Sequence, residues 1–275
     1  MTTAVTGRVQ DKVVFITGAA RGQGRSHAVR LADEGADILA VDLCGPVRGV
    51  QYPASTRDDL AETVALVEKT GRRIVAEQVD TRDAAALKTF VDAGVGQLGR
   101  LDVIVANAGI CIAEPWHKVT EQSWQDTLDV NLTGSWNAIR AGVDHLVAQK
   151  SGSIIVTSST AGLKGNPYLL SYVVSKHGVT GMVRALAHEL GTHNVRVNAV
   201  NPATVATEMV GPSFKAVLEE AIEENPGPAG IFTKSLPITA AEPVDISNAV
   251  LFLASDESRF VTALSLSVDA GNSQY

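Results

Sequence analysis

The chain has 275 residues, 45% of them hydrophobic and 19% charged, enough to bury one large core as a single domain. Its net charge of −7 argues against binding a phosphate backbone, which needs a basic footprint. No apolar run is long enough to span a bilayer. Met1 to Gly7 lack the apolar core of a signal peptide. The two cysteines, Cys44 and Cys111, form no Cys-x-x-Cys pair, so reduced thiols in a cytoplasmic protein are expected.

In chain order, short β-branched runs alternate with helical patterns. Strands are expected at 13–17, 37–41, 73–79, 101–106, 152–157, 195–200 and 264–268. Helices are expected at 23–34, 57–70, 83–97, 121–148, 173–190 and 243–254, the second with an apolar stripe at Leu60, Val64 and Val67. Seven strands alternating with helices imply an α/β fold, a doubly wound parallel sheet with helices on both faces. Right-handed crossovers then fix the topology. No internal repeat or linker divides the chain, so 1–275 reads as one domain. The strand order should reverse between the first and fourth strands. The Gly18 turn and Asn107 flank that crevice, where such sheets bind ligands.

The first strand, Val13 to Thr17, ends in Gly18-Ala19-Ala20-Arg21-Gly22-Gln23-Gly24, and a helical pattern follows (Ala28, Leu31, Ala32). The Gly-x-x-x-Gly-x-Gly spacing is not the Gly-x-Gly-x-x-Gly fingerprint, but the physics is shared. Glycines let the backbone approach a pyrophosphate, and the helix start offers it free N–H groups. The second run, Ala36 to Val41, ends at Asp42. An acid there can accept hydrogen bonds from an adenosine ribose and repel a 2′-phosphate, which points to NAD rather than NADP. Arg21 is the counter-signal.

Between Asp42 and the next helix lies an insertion, 44–57, within the segment Leu43 to Arg57. A βα loop usually has about 2–6 residues. Because the segment starts beside Asp42, it must lie near the adenosine half of any dinucleotide. A tolerated surface loop, which costs little entropy, and a flap over the cofactor are both open readings.

Tyr172 and Lys176 are four apart and stand on one helix face, one turn from each other. A free tyrosine ionises near pH ~10, and an adjacent ammonium favours the phenolate. Ser159, thirteen residues before Tyr172, can hold the substrate oxygen. Together they outline a proton-transfer device. Ser158 is adjacent, so the choice of Ser159 rests on that spacing.

These motifs resemble the short-chain dehydrogenase/reductase family, from roughly Lys12 to Gly271. The resemblance implies a Rossmann fold and hydride transfer between a nicotinamide and an alcohol or ketone. Tyr172 would move the hydroxyl proton. Lys176 would lower the tyrosine pKa and bind the nicotinamide ribose, and Ser159 would stabilise the substrate oxygen. Asn131 matches the catalytic asparagine, which orders a water linking Lys176 to solvent. Asn107-Ala108-Gly109 follows the fourth strand, and Asp80, with Thr81 after it, ends the third where the family contacts adenine. Leu43 follows Asp42 at the adenosine end. Pro202-Ala203-Thr204-Val205-Ala206-Thr207 matches the loop that closes on the nicotinamide, with Pro202, Thr204, Val205 and Thr207 as contacts. The family commonly has Pro-Gly in that loop, and Ala106 replaces the first of its usual two asparagines.

The insertion, the run Ser158 to Gly165 and the Pro-Ala-Thr-Val-x-Thr loop are similar to the carveol dehydrogenase-like subgroup. That likeness implies NAD held without exchange and mycofactocin as external acceptor. The region 205–240 would form a substrate lid, with a helical stretch around Phe214, Val217, Leu218, Ala221 and Ile222, though a core-packing helix reads equally well. Ile112, Trp116, Tyr168, Met209 and Phe214 are the residues expected near a lipophilic substrate. Family members are often tetramers, through the helix after Thr120, the helix bearing Tyr172 and the last strand.

Other chemistries find little support. The six histidines form no His-Glu-x-x-His, so no metal is expected, and surface or helix-end positions are expected for them. No Gly-x-Ser-x-Gly elbow surrounds Ser159, and no P-loop follows the first strand. Two alternatives stay open. One is an NADPH-using reductase of the same fold, such as a 3-oxoacyl carrier-protein reductase. The other is a non-catalytic dinucleotide sensor.

Overall fold

A computed structural model describes residues 7–274. The absence of a signal-peptide core was read from Met1 to Gly7, and residues 1–6 lie outside the described residues. Seven strands form one sheet: β1 (Val13–Thr17), β2 (Asp37–Asp42), β3 (Ile74–Gln78), β4 (Val103–Ala106), β5 (Gly152–Thr157), β6 (Val195–Pro202) and β7 (Ser265–Val268). Their order is β3-β2-β1-β4-β5-β6-β7, and each neighbouring pair is parallel. β1, paired with β2 on one side and β4 on the other, marks the expected reversal of strand order.

Side-chain alternation divides the core into two layers. Phe15 and Leu39 point to the side covered by α3 (Ala84–Leu98), α5 (Gly134–Gln149) and α6 (Leu170–Gly191), where they pack with Phe90, Ile139 and Val183. Val14, Ile16 and Ile38 point to the side of α1 (Gly22–Asp33), α2 (Arg57–Glu68) and α8 (Pro243–Ala254), against Leu31, Val67 and Val250. Both faces of β1 and β2 are therefore buried, which is why their sequences are nearly continuous apolar runs. Local signals set the helix starts. Thr56 caps α2 in a reciprocal box with Asp59, and Asp83 caps α3.

Two expectations need correction. The helix expected over 121–148 is two helices, α4 (Glu121–Leu128) and α5, separated by a π-helical turn at Asp129–Thr133. α6 begins at Leu170, three residues before the expected 173. The 205–240 region contains one 3-10 turn at Glu208–Val210 and a two-turn 3-10 stretch at Gly227–Phe232 around α7 (Pro212–Glu224). The 43–57 segment has neither helix nor strand before α2 begins at Arg57.

Candidate active site

A cavity of about 500 Å³ opens at the carboxyl ends of β1, β2 and β4. Gly18, Arg21, Gly22, Asp42, Leu43, Asp80, Thr81, Ala108 and Gly109 all line it, as the sequence suggests. Gly22 has a φ of +56°, which a side chain rarely tolerates. A Cβ on Gly24 would lie 2.0 Å from the Gly18 carbonyl oxygen. Gly24 does not face the cavity; it lets α1 close onto the β1 turn. α1 starts without a side-chain cap, and the Oε1 of Gln23 is buried with no partner. Uncapped helix N–H groups in this turn suit an anionic ligand.

Asp42, at the end of β2, is buried. One carboxylate oxygen accepts from the Ala20 N–H at 2.9 Å. The other accepts from the Cys44 N–H at 3.0 Å and the Ser55 hydroxyl at 2.6 Å. A carboxylate has about four acceptor sites, so one remains for a ribose hydroxyl. Arg21 donates to the Pro53 carbonyl and so fastens the 43–57 segment to the glycine turn. Asp80 is held in an ion pair by Arg82 at 2.6 Å.

A second, smaller cavity adjoins the first, and Gln23, Gly109, Thr207 and Met209 line both. Ser159, Tyr172, Lys176, Asn107, Pro202 and Val205 meet there. Thr204 lines neither cavity; its carbonyl instead accepts from the Ala241 N–H at 2.9 Å. Lys176 Nζ donates to the Thr157 carbonyl at 2.7 Å and lies 5.5 Å from the Tyr172 ring centre. Ser159 Oγ donates weakly to the Pro202 carbonyl at 3.4 Å. Asn107 joins strand ends: its amide donates to the Thr17 carbonyl at 3.0 Å and its Oδ1 accepts from the Thr157 hydroxyl at 3.2 Å. Asn131 sits in the π turn, where its Oδ1 accepts from the Ile110 N–H at 2.8 Å and its amide donates to the Ile110 carbonyl at 2.9 Å. A π turn inserted in a helix often marks a functional position.

Burial dominates the electrostatics of this end. It pushes Lys176 down to about 8, and the Cys111 thiol up to about 12. Burial also raises the Tyr172 phenol, with Cys111 and Tyr52 adding to the rise and a hydrogen bond with Ser159 opposing it. The expected lowering of the tyrosine by Lys176 is therefore not the leading effect in the protein alone. A phenolate in a dry pocket is costly, and the lysine is itself partly discharged by the same burial.

The residues expected near a substrate divide. Phe214 packs with Cys111, Ala113 and Leu169, against Tyr172, Met209, Val217 and Leu218, so α7 is a packed helix beside Tyr172. Ile112 is buried against Val47 and Val50 of the 43–57 segment. Tyr168, at a φ of +66°, donates its hydroxyl to the Asn225 carbonyl at 3.0 Å, beyond the end of α7. Trp116 corrects the expectation: it is 78% exposed and stacks edge-on with His117. Pro115, extended at ψ 151°, leads the chain into one short turn on the outside. His27 is also a correction. It is wholly buried in α1, with Nδ1 2.8 Å from the Ser247 hydroxyl of α8. Among the described residues, no group of three or more His, Cys, Asp and Glu is arranged to hold a metal.

The family model of the short chain dehydrogenases matches residues 12–217. The chain belongs to the short-chain dehydrogenase family. It is 44% identical over 272 residues to (−)-trans-carveol dehydrogenase of Rhodococcus erythropolis, covering 96% of this chain and 98% of that relative. Among solved structures it is similar to a short-chain dehydrogenase from Mycobacterium paratuberculosis bound to NAD, with a TM-score of 0.96 and 50% identity. That match covers 98% of this chain and 100% of the other. The carveol dehydrogenase from Mycobacterium avium in complex with NAD matches with a TM-score of 0.93 and 53% identity, over the same shares.

Sequence reasoning marked the 43–57 segment as a unit but did not single out Tyr52, Ser55, Val47 or Val50 within it. Each lines the larger cavity. The available signal was Tyr52, the one aromatic side chain in a loop of small and polar residues. Arg25 was missed as well. It lines the same cavity while its guanidinium pairs with Glu62 at 2.7 Å.

Proposed function

We propose that this protein is an NAD-dependent oxidoreductase that interconverts a lipophilic secondary alcohol and its ketone. The observation that carries this reading is the meeting of Ser159, Tyr172 and Lys176 around a small cavity continuous with a dinucleotide-sized groove that ends at Asp42. The glycine turn and the uncapped α1 fit a pyrophosphate. Asp42 fits an adenosine ribose and disfavours a 2′-phosphate. Arg21, the counter-signal, is engaged with Pro53 rather than free to meet such a phosphate. NAD bound in this groove supplies the hydride chemistry. The protein orients the substrate oxygen between Ser159 and Tyr172, moves the hydroxyl proton through Tyr172 and favours the phenolate with Lys176. Asn131, through Ile110, fixes the segment that passes beside Lys176. The apolar surroundings of Tyr172, from Phe214 to Leu218, support a lipophilic substrate, as does the likeness to carveol dehydrogenases.

We further read the 43–57 segment as a strap that keeps NAD from exchanging, with mycofactocin as the external acceptor. Its fastening at Pro53 to Arg21 and at Ser55 to Asp42 supports retention. Exposed Leu170 and Val174 on α6, Trp136 on α5, and Phe260 and Leu264 near β7 support a homotetramer. No helix among the described residues is long and apolar enough to cross a membrane. The two free cysteines suit a cytoplasmic setting.

The test is to denature purified protein and identify the dinucleotide released. Near-stoichiometric NAD(H) supports retention. No NAD(H), with NADP(H) preferred in titration, overturns the cofactor assignment. No NAD(H), with ordinary turnover on added NAD, leaves the cofactor and removes the retention.

A further inference from the structure

The tip of the 43–57 strap touches the substrate side of the molecule. Gln51 donates its amide to the Ala113 carbonyl at 2.8 Å and accepts from the Ala113 N–H at 3.1 Å, a closed pair like one rung of a sheet. Tyr52 follows, its hydroxyl oxygen accepting from the Cys111 N–H at 3.4 Å. Val47 and Val50 pack on Ile110, Ile112 and Val130. The segment from Ile110 to Ala113 is buried and belongs to no helix or strand. Buried backbone N–H groups outside secondary structure must find other partners. Here Asn131 serves Ile110, Tyr52 serves Cys111 and Gln51 serves Ala113. The opposite face of the segment presents Cys111 and Ala113 to Tyr172, Leu169 and Phe214.

Resting on the oxidoreductase reading above, we propose that Gln51 and Tyr52 are positioning residues for the substrate wall. They fix the Ile110–Ala113 backbone and, through it, the Cys111 and Ala113 side chains that face Tyr172. The strap thus sets substrate fit as well as covering the dinucleotide.

The test compares wild type with Gln51→Met and Tyr52→Phe, which keep shape and lose the hydrogen bonds. Hydrogen exchange of the peptide spanning 110–113 reads the clamp. Steady-state oxidation of carveol with an artificial electron acceptor reads KM against kcat, and the dinucleotide released on denaturation reads cofactor content. For Gln51→Met, loss of two hydrogen bonds should speed exchange about tenfold and raise KM about tenfold, with kcat changed less than about threefold and cofactor content unchanged. Unchanged exchange overturns the proposal. So does faster exchange with an unchanged KM, and so does a loss of cofactor in place of the KM effect. If wild type oxidises no alcohol, the oxidoreductase reading falls, and exchange alone decides the clamp.

Discussion

Lys176 Nζ stands 5.5 Å from the centre of the Tyr172 ring and gives its short hydrogen bond to the Thr157 carbonyl. The ammonium is therefore anchored to the end of β5, within cation–π range of the Tyr172 ring. Burial raises the phenol, so the protonated form prevails at neutral pH. Alcohol oxidation needs the phenolate, and its rate should rise with pH. Ketone reduction needs the phenol and should be flat through neutrality. Removing the cation in Lys176→Met leaves the phenol harder to ionise. Single-turnover oxidation should then show its rising limb at higher pH than in wild type. An unmoved limb would mean that Lys176 does not act on Tyr172.

Gly109 occupies the gap between two of the proposed catalytic residues. A Cβ there would lie 3.3 Å from Asn131 Oδ1 and 3.5 Å from Lys176 Nζ. Gly109→Ala should lower kcat about tenfold, equivalent to ~1.4 kcal/mol in the barrier, while the thermal midpoint changes little. Stopped-flow rates and a melting curve check both halves. A full-rate Gly109→Ala variant would show that the gap has no part in turnover.

His27 titrates against stability. Burial lowers it from 6.5 to about 3. Between these values the unfolded chain holds a proton that the folded one lacks. Stability is therefore lost as pH falls from about 6.5 toward 3, at up to ~1.4 kcal/mol per pH unit. His27→Gln removes that contribution. Urea midpoints compared at mildly acidic and neutral pH should fall more steeply in wild type than in the variant, and equal slopes would count against the assignment.

Lys164 ties the 227–233 segment to the chain's last turn. Its Nζ donates to the Ile231 carbonyl at 2.7 Å and to the Asn272 carbonyl, while the Asn272 amide donates to the Thr233 carbonyl at 2.7 Å. Lys164→Met should cost ~1–3 kcal/mol locally and speed limited proteolysis within 212–232, with a higher KM for alcohol. Unchanged cleavage would place the anchor of this segment elsewhere.

Much of the architecture was legible because its causes are local. The buried strands read as apolar runs since both faces are covered, and Asp42 read as a strand-end acid because it closes the unbroken apolar run Ile38 to Val41. The π turn at Asn131 was not legible, since one shifted hydrogen-bond pattern leaves the apolar spacing of 121–148 nearly intact. Nor was the strap's path. Gln51 and Ala113 are 62 residues apart, and no periodicity links a polar loop to an irregular segment. Trp116 read as a pocket residue from its hydrophobicity, but a short turn after Pro115 carries it into solvent. His27 read as a surface residue from its polarity, but α1 packs closely on α8 and Ser247 satisfies one ring nitrogen.

The central claim is that the Tyr172 phenol moves the substrate's proton beside a bound dinucleotide. The most direct measurement is single-turnover reduction of bound NAD, in wild type and in Tyr172→Phe, by a secondary alcohol that wild type oxidises, with dinucleotide content matched. Wild type should form NADH, and the variant should hold its NAD yet form none on the same timescale. NADH formation by Tyr172→Phe at the wild-type rate would contradict the account.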